Sequence, residues 1–267
     1  PPRLKLGGET RDVTLLFPDV RGFSSLSEGM DAETLIRFVN RLFTPLSDTI
    51  LAHRGTIDKF MGDAVMAFWN APIPDPAHAA SACRAALAMQ SEMARLNRED
   101  AARNAAAGTP HRPVRIGIGL NTGPCCVGNV GSPQRFDYSV LGDAVNVASR
   151  IEGTTKVYGA SIVAGERTAA EAGAFAFLEI DTAARLRGKE RPERLFALIG
   201  DEAVAASPAF ANLSGRYASL RIALSNNDVS AALAEIEACR AAARGIATLP
   251  LEDLLAHYAT TIGLARH

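Results

Sequence analysis

The chain has 267 residues, 48% hydrophobic and 21% charged, with a formal net charge of −1. That composition is globular and long enough for one large domain with an appendage, or for two domains. The near-zero charge gives no global field to draw in nucleic acid or an anionic membrane. Four cysteines (Cys83, Cys125, Cys126, Cys239) lack CxxC spacing, and the five histidines form no HxxxH or HExxH pattern. Reduced thiols in a cytoplasmic setting are therefore expected, and a zinc site is not. No apolar run reaches membrane-spanning length and no signal peptide is present. The chain begins Pro1-Pro2 without Met, so we expect a fragment of a longer signalling protein, with a sensor or membrane region ahead of it.

After a polar entry segment (residues 1–11), Val13–Phe17 reads as a central strand buried on both faces, stopping at Pro18-Asp19. This leaves Asp19 at the strand's C-terminal end. Val20-Arg21-Gly22-Phe23-Ser24-Ser25 then approaches a short helix that Ser24 or Ser25 would cap, and its backbone N–H groups form an anion site. Asp31–Ala52 is an amphipathic helix, with Leu35, Phe38, Leu42, Leu46 and Ile50 on one stripe. Gly55–Trp69 reads as a hairpin turning at Gly62-Asp63, which lifts the Asp63 carboxylate to one end of a sheet. Lys59 stands on the incoming strand, with Ile57 and Met61 pointing the same way. Taken alone, this stretch also fits an ordinary surface turn with a solvated lysine.

A second helix spans about Ala77–Leu96, and Asn97–Pro113 reads as a fraying end and mobile loop. Val114–Leu120 is a buried strand, Asn121-Thr122-Gly123-Pro124 a turn, and Cys125–Gly131 and Phe136–Leu141 further strands. Gly142-Asp143 opens a helix over Ala144–Glu152 that carries Asn146 and Arg150 on one face. A strand at Ala160–Val163, a helix near Gly165–Ala172 and a strand at Phe175–Ile180 follow. Arg185-Leu186-Arg187-Gly188-Lys189 then leads into a last strand at Glu193–Ile199. From Asp201 the chain turns alanine-rich and helical, with stripes that mark three helices and no clear repeat. The division expected is residues 1–200 as one α+β domain and 201–267 as a helical extension suited to packing or partner binding.

Four blocks together resemble the class III nucleotidyl cyclases, the adenylate and guanylate cyclase catalytic domains. They are Val13-Thr-Leu-Leu-Phe-Pro-Asp19-Val-Arg-Gly-Phe-Ser24, Lys59-Phe-Met-Gly-Asp63, Ile116-Gly-Ile-Gly-Leu-Asn-Thr-Gly123 and Leu141-Gly-Asp-Ala-Val-Asn146-Val-Ala-Ser-Arg150-Ile-Glu152. They occur in the family's order, across about Val13–Leu198. The resemblance implies an α+β fold, a ferredoxin-like βαββαβ-derived sheet with helices on one face, plus the small all-helical appendage. It implies an adenylate cyclase of the bacterial homodimeric type. Asp19 and Asp63, with Val20 beside them, would hold two Mg²⁺ or Mn²⁺ ions. The backbone of Val20, Arg21, Gly22, Phe23 and Ser24 would cradle the triphosphate of ATP. Asn146 would orient the ribose, Arg150 would stabilise charge on the α-phosphate, and Arg187 matches a basic position that reaches the terminal phosphates.

For base choice, the resemblance puts Lys59 and Ser139 against the purine. Lysine suits adenine, whose N1 accepts a hydrogen bond; serine departs from the usual Asp or Thr and can donate or accept. The family's sites form between two catalytic domains, with Asp19 and Asp63 from one and Lys59, Ser139, Asn146 and Arg150 from the other. A homodimer with two equivalent sites is the expected assembly. Three other readings stay open at this point: a guanylate or dual-specificity cyclase, a non-catalytic nucleotide-sensing dimerisation module, and a protein-interaction role led by the helical tail.

Overall fold

The computed structural model describes residues 7–132, 134–187, 192–246 and 249–264. Gly188-Lys189, read as the approach to the last strand, and residues 1–6 lie outside them. Strand β1 (Gly7–Val20) leads to a short helix α1 (Phe23–Ser27) and a long one, α2 (Ala32–Ala52). The hairpin β2 (Thr56–Met61) and β3 (Ala64–Trp69) precedes α3 (His78–Ala106), β4 (Ile116–Ser132) and β5 (Arg135–Leu141). Next come α4 (Asp143–Tyr158), β6 (Ile162–Gly165), α5 (Glu166–Ala172), β7 (Ala176–Ala184) and β8 (Glu193–Gly200). The tail holds α6 (Glu202–Ala205), α7 (Pro208–Ser225), α8 (Val229–Ala243) and α9 (Glu252–Leu264).

The strands form one sheet in the order β2-β3-β1-β4-β6-β8-β7, with β5 paired to β4. The β4–β6 pairing is parallel and the others antiparallel. Its first half, β1-α2-β2-β3-α3-β4, is the ferredoxin-like unit, and both of its helices lie on one face. There Leu16, Trp69, Ile116, Ile118 and Leu120 pack against Leu46, Ile50, Met89 and Met93. The opposite face carries Val13, Leu15, Phe17, Met66 and Phe68, covered by α4 and β5 through Ala144, Ala148 and Val140. Alternate residues of β1 thus feed two cores, which is why Val13–Phe17 is apolar without interruption.

Several boundaries differ from the sequence reading. Strand β1 begins at Gly7, within the supposed entry segment, and does not stop at Pro18. It pairs with β4 all the way from Gly7↔Asn129 to Val20↔Ile116. Pairing to β3 lapses at Phe17 and Pro18 and resumes at Asp19↔Ala64, so the missing proline N–H costs little there. Asn121–Pro124 is no turn, because β1 holds β4 straight through it. The polar groups there are used internally: Asn121 Nδ2 donates to Ala144 O at 3.0 Å, and the Thr14 and Thr122 hydroxyls meet at 2.8 Å.

Helix α3 runs ten residues past the expected end, to Ala106. Charge pairs rather than an apolar stripe hold that extension: Arg95 bridges Glu92 and Glu99, and Arg41 meets Asp100. Asn97 clamps it to the following strand, donating to Val114 O at 2.7 Å and accepting from Val114 N at 2.8 Å. Helix α4 passes through Gly153 and stops at Gly159, which adopts φ 69° as its C-cap. Neither Ser24 nor Ser25 caps α1; Gly22 takes that position at φ 68°. Asp31 does cap α2, accepting from Thr34 N at 2.9 Å.

The tail helices share a core with the far end of the sheet, Leu213, Tyr217, Leu220 and Ile236 packing with Leu178, Ile180 and Ile199. No helix among the described residues is long and apolar enough to cross a membrane.

Candidate active site

The hairpin turn sets the geometry. Gly62 adopts φ 64°, a left-handed conformation that glycine takes without steric cost, and Asp63 follows it at the tip. The next residue, Ala64, pairs with Asp19. The two carboxyl groups therefore converge at one end of neighbouring strands, within hydrogen-bonding reach of each other. Burial raises the Asp63 carboxyl above the ordinary aspartate range, and the hydrogen bond and charge of Asp19 raise it further. Lys156, in the last turn of α4, offsets part of this and sets its Nζ 3.3 Å from Asp19 Oδ2.

One turn earlier on α4, Glu152 is 9% exposed. Burial, then the charge of Asp19, pushes its carboxyl up to about 7. Sequence reasoning gave Glu152 and Lys156 no role. The signal was present as an i, i+4 acid–base pair facing two glycines. A Cβ on Gly119 would lie 2.4 Å from Glu152 N, and one on Gly117 would lie 2.4 Å from Thr155 Oγ1. Those glycines let α4 lie directly on β4, which carries its C-terminal turns to Asp19.

Val20 ends β1 with its side chain in the core. Arg21 is committed elsewhere. Its N–H donates to Arg115 O at 2.8 Å, and its guanidinium donates to Ala160 O at 2.6 Å and Thr155 O at 3.3 Å. The expected phosphate cradle therefore loses the Arg21 amide and narrows to Gly22, Phe23 and Ser24. These lie at the first turn of α1, where helix N–H groups have no intrahelical acceptor.

The other expected residues lie apart from the acidic pair of their own chain. Lys59 is exposed on β2, two residues before the strand ends at Met61 and so about 7 Å of strand back from the turn that carries Asp63. A bulge at Asp58 puts Ile57 opposite Ala67 and Lys59 opposite Met66, so Lys59 shares a face with Met61 as expected but not with Ile57. Ser139 is buried on β5 opposite Gly128. Strand β5 folds over the sheet, and Tyr138 approaches Phe68 with ring centroids 6.3 Å apart. Asn146 is exposed and Arg150 half-buried, with Arg150 Nη1 lacking a hydrogen-bond partner among the described residues. Arg150 precedes Lys156 by six residues, so it sits about 9 Å away along the helix and about 120° around it. Arg187 is exposed beyond the end of β7, the edge strand farthest from the hairpin. Within one chain, then, the acidic pair stands apart from the other expected residues.

The acidic half fits a divalent cation on its own chemistry. Two hard carboxylates forced together, one with a raised proton affinity, gain by binding a cation between them, and Lys156 supplies the only ion pair recorded to Asp19 among the described residues. No cluster of three or more Asp, Glu, His or Cys forms a metal cage among the described residues.

Comparison with known proteins bears on the same residues. The sequence profile of the family described as the adenylate and guanylate cyclase catalytic domain matches residues 8–198. The chain is 40% identical over 161 residues to adenylate cyclase 1 of Rhizobium meliloti, covering 60% of this chain and 23% of that protein. It is 38% identical over 184 residues to an adenylate cyclase of Anabaena cylindrica, covering 68% and 35%. The chain thus spans about a quarter to a third of the length of these relatives. Among solved structures, the guanylyl cyclase Cya2 superposes with a TM-score of 0.64 at 32% identity, covering 73% of this chain and 95% of that one. The adenylyl cyclase CyaB from P. aeruginosa gives 0.63 at 31%, covering 73% and 97%.

Proposed function

The chain belongs to the adenylate and guanylate cyclase catalytic-domain family, and from that premise we propose that it is an adenylate cyclase working as a homodimer. The reaction is attack of the ribose 3′-hydroxyl of ATP on its own α-phosphorus, releasing pyrophosphate and closing the 3′,5′-cyclic ester. The observation that carries the reading is the convergence of Asp19 and Asp63 at the hairpin tip. Their carboxylates, with the Val20 backbone beside them, would hold Mg²⁺ or Mn²⁺. Bound there, two ions supply charge stabilisation at the attacking oxygen and at the triphosphate.

The chain's own groups supply position and charge. The amides of Gly22, Phe23 and Ser24 receive phosphate oxygens at the start of α1. Asn146 orients the ribose, and Arg150 offers a permanently charged fork to the α-phosphate. Its unpartnered Nη1 supports that role, since a buried donor without an acceptor is costly unless a ligand completes it. Arg187 serves the terminal phosphates. Separation of Arg150 from the acidic pair along α4 supports a site shared between protomers.

Lys59 favours ATP, because its ammonium donates to adenine N1 while guanine presents an N–H there. A guanylate or dual-specificity cyclase is the second reading. It is supported by Ser139, which can pair with either purine, and by the likeness to the guanylyl cyclase Cya2. Purified protein with Mn²⁺ and equal ATP and GTP should form cyclic AMP in excess, and Asp63→Ala should form neither product. Absence of any cyclic product from the wild type at high protein concentration removes the catalytic reading. Cyclic GTP in excess selects the second. We further propose that this is the cytoplasmic catalytic part of a longer signalling protein with a sensor ahead of it.

A further inference from the structure

Strand β2 is irregular at one residue. Its register against β3 shifts between Ile57 and Lys59, which makes Asp58 the extra residue of a β-bulge. In a regular strand, adjacent side chains point to opposite faces and do not meet. Here the Asp58 side chain is 1% exposed and that of Lys59 52% exposed, yet Lys59 Nζ lies 3.5 Å from Asp58 Oδ2. Neither Asp58 oxygen has a hydrogen-bond partner among the described residues. Among the described residues, Lys59 is the only ion-pair partner recorded for this carboxylate.

A buried carboxylate kept for the fold alone is normally tied down by backbone or side-chain donors, because leaving it bare is costly. This one has none. Bulges also recur beside active sites, where they re-aim a side chain. We propose that Asp58 is a positioning residue for base selection, holding the Lys59 ammonium where it reads the purine edge. The inference rests on the cyclase reading above and deepens it.

The chemistry follows from the donor count. An ammonium carries three N–H donors. One directed at Asp58 leaves the others for a ring acceptor, and the anchor restrains a flexible four-carbon stem. A lysine held in place rewards adenine N1 and opposes guanine N1–H. A released lysine can swing aside and admit guanine.

The test compares wild type, Asp58→Asn, Asp58→Ser, Lys59→Ala and the Asp58→Asn/Lys59→Ala double variant, each as the full chain. Melting temperature and kcat/KM are measured for ATP, GTP and 1-deaza-ATP, which lacks the N1 acceptor. We expect Asp58→Asn and Asp58→Ser to lower the ATP-to-GTP ratio of kcat/KM about tenfold, the scale of one well-placed hydrogen bond. The loss should fall mainly on KM for ATP. Neither substitution should lower the melting temperature, since each removes a buried carboxylate that has no hydrogen-bond donor and is paired only with an exposed lysine. 1-deaza-ATP should be handled as by the wild type, and Asp58→Asn should change nothing further once Lys59 is alanine. Equal losses on all three nucleotides, or a ratio unchanged in an active enzyme, overturn the inference and spare the cyclase reading. A wild type that forms no cyclic product overturns that reading, and this inference with it.

Discussion

The carboxyl of Asp63 lies within hydrogen-bonding reach of that of Asp19, joined through the Asp19↔Ala64 pairing at the end of the sheet. The fold therefore holds two like charges together, and it does so before any cation arrives. Asp63, raised above its unfolded value, is penalised when ionised. Stability owed to this group is present at low pH, falls as pH rises through the raised value, and stays low above it. Asp63→Asn removes the penalty at neutral pH. In metal-free buffer at pH 7.5 the variant should melt above wild type by about 2–4 °C for each kcal/mol relieved. Mn²⁺ should stabilise wild type and leave the variant nearly unmoved. A variant that melts lower without metal would contradict the strained-pair account.

Glu152 gives a second pH handle of the same sign. Its carboxyl is pushed from 4.5 to about 7, chiefly by burial. The fold thus loses stability between roughly pH 4.5 and 7, and the penalty is complete above that window. A shift of this size corresponds to about 3 kcal/mol as an upper figure. Glu152→Gln should melt well above wild type at pH 8, with the gap closing towards pH 5. Thermal melts across pH 5–8 decide it; a gap constant with pH would place the effect in packing rather than charge.

Gly119 is the point where α4 meets the sheet backbone to backbone. A Cβ there would stand 2.4 Å from Glu152 N and 2.5 Å from Ala148 O. Gly119→Ala must push α4 away from β4, a strain of about 1–3 kcal/mol. Because α4 also carries Asn146, Arg150 and Lys156, activity should fall further than stability. Melting temperature and kcat measured on the same sample test this. Unchanged values for both would mean that the helix is not held where described.

Asp19 and Asp63 were each legible because their signals are local, whereas their meeting was implied only by the resemblance to the cyclases. An apolar run ends near Asp19, and Gly62-Asp63 marks a hairpin tip whatever the rest of the chain does. What escaped the sequence depends on distant partners. Asn97 sits in a stretch without apolar periodicity, and only its two bonds to Val114 show why the helix persists there. Gly153 and Gly159 look alike as helix stops; Gly159 adopts the left-handed cap, whereas Gly153 continues the helix. Asn121–Pro124 has the composition of a turn, yet pairing along the whole of β1 overrides it. The burial of Glu152 and the bulge at Asp58 are likewise products of packing and register, which no local pattern encodes.

The separation of Arg150 from the acidic pair makes the last prediction. On α4, Arg150 stands about 9 Å along the axis and about 120° around it from Lys156, which touches Asp19, a separation that argues for its serving the acidic pair of a partner rather than that of its own chain. If active sites are shared between protomers, an Asp63→Ala chain lacks one half and an Arg150→Ala chain the other. Each variant alone should be inactive. Mixed in equal amounts with free exchange, half of the dimers are heterodimers, each with one site that draws both halves from intact sequence. Activity should return to about a quarter of the wild-type value per chain, and should scale with the heterodimer fraction measured by native mass spectrometry. No recovery in a mixture that demonstrably forms heterodimers would mean that each chain builds its site alone, and the shared-site assignment of Lys59, Ser139, Asn146 and Arg150 would have to be withdrawn.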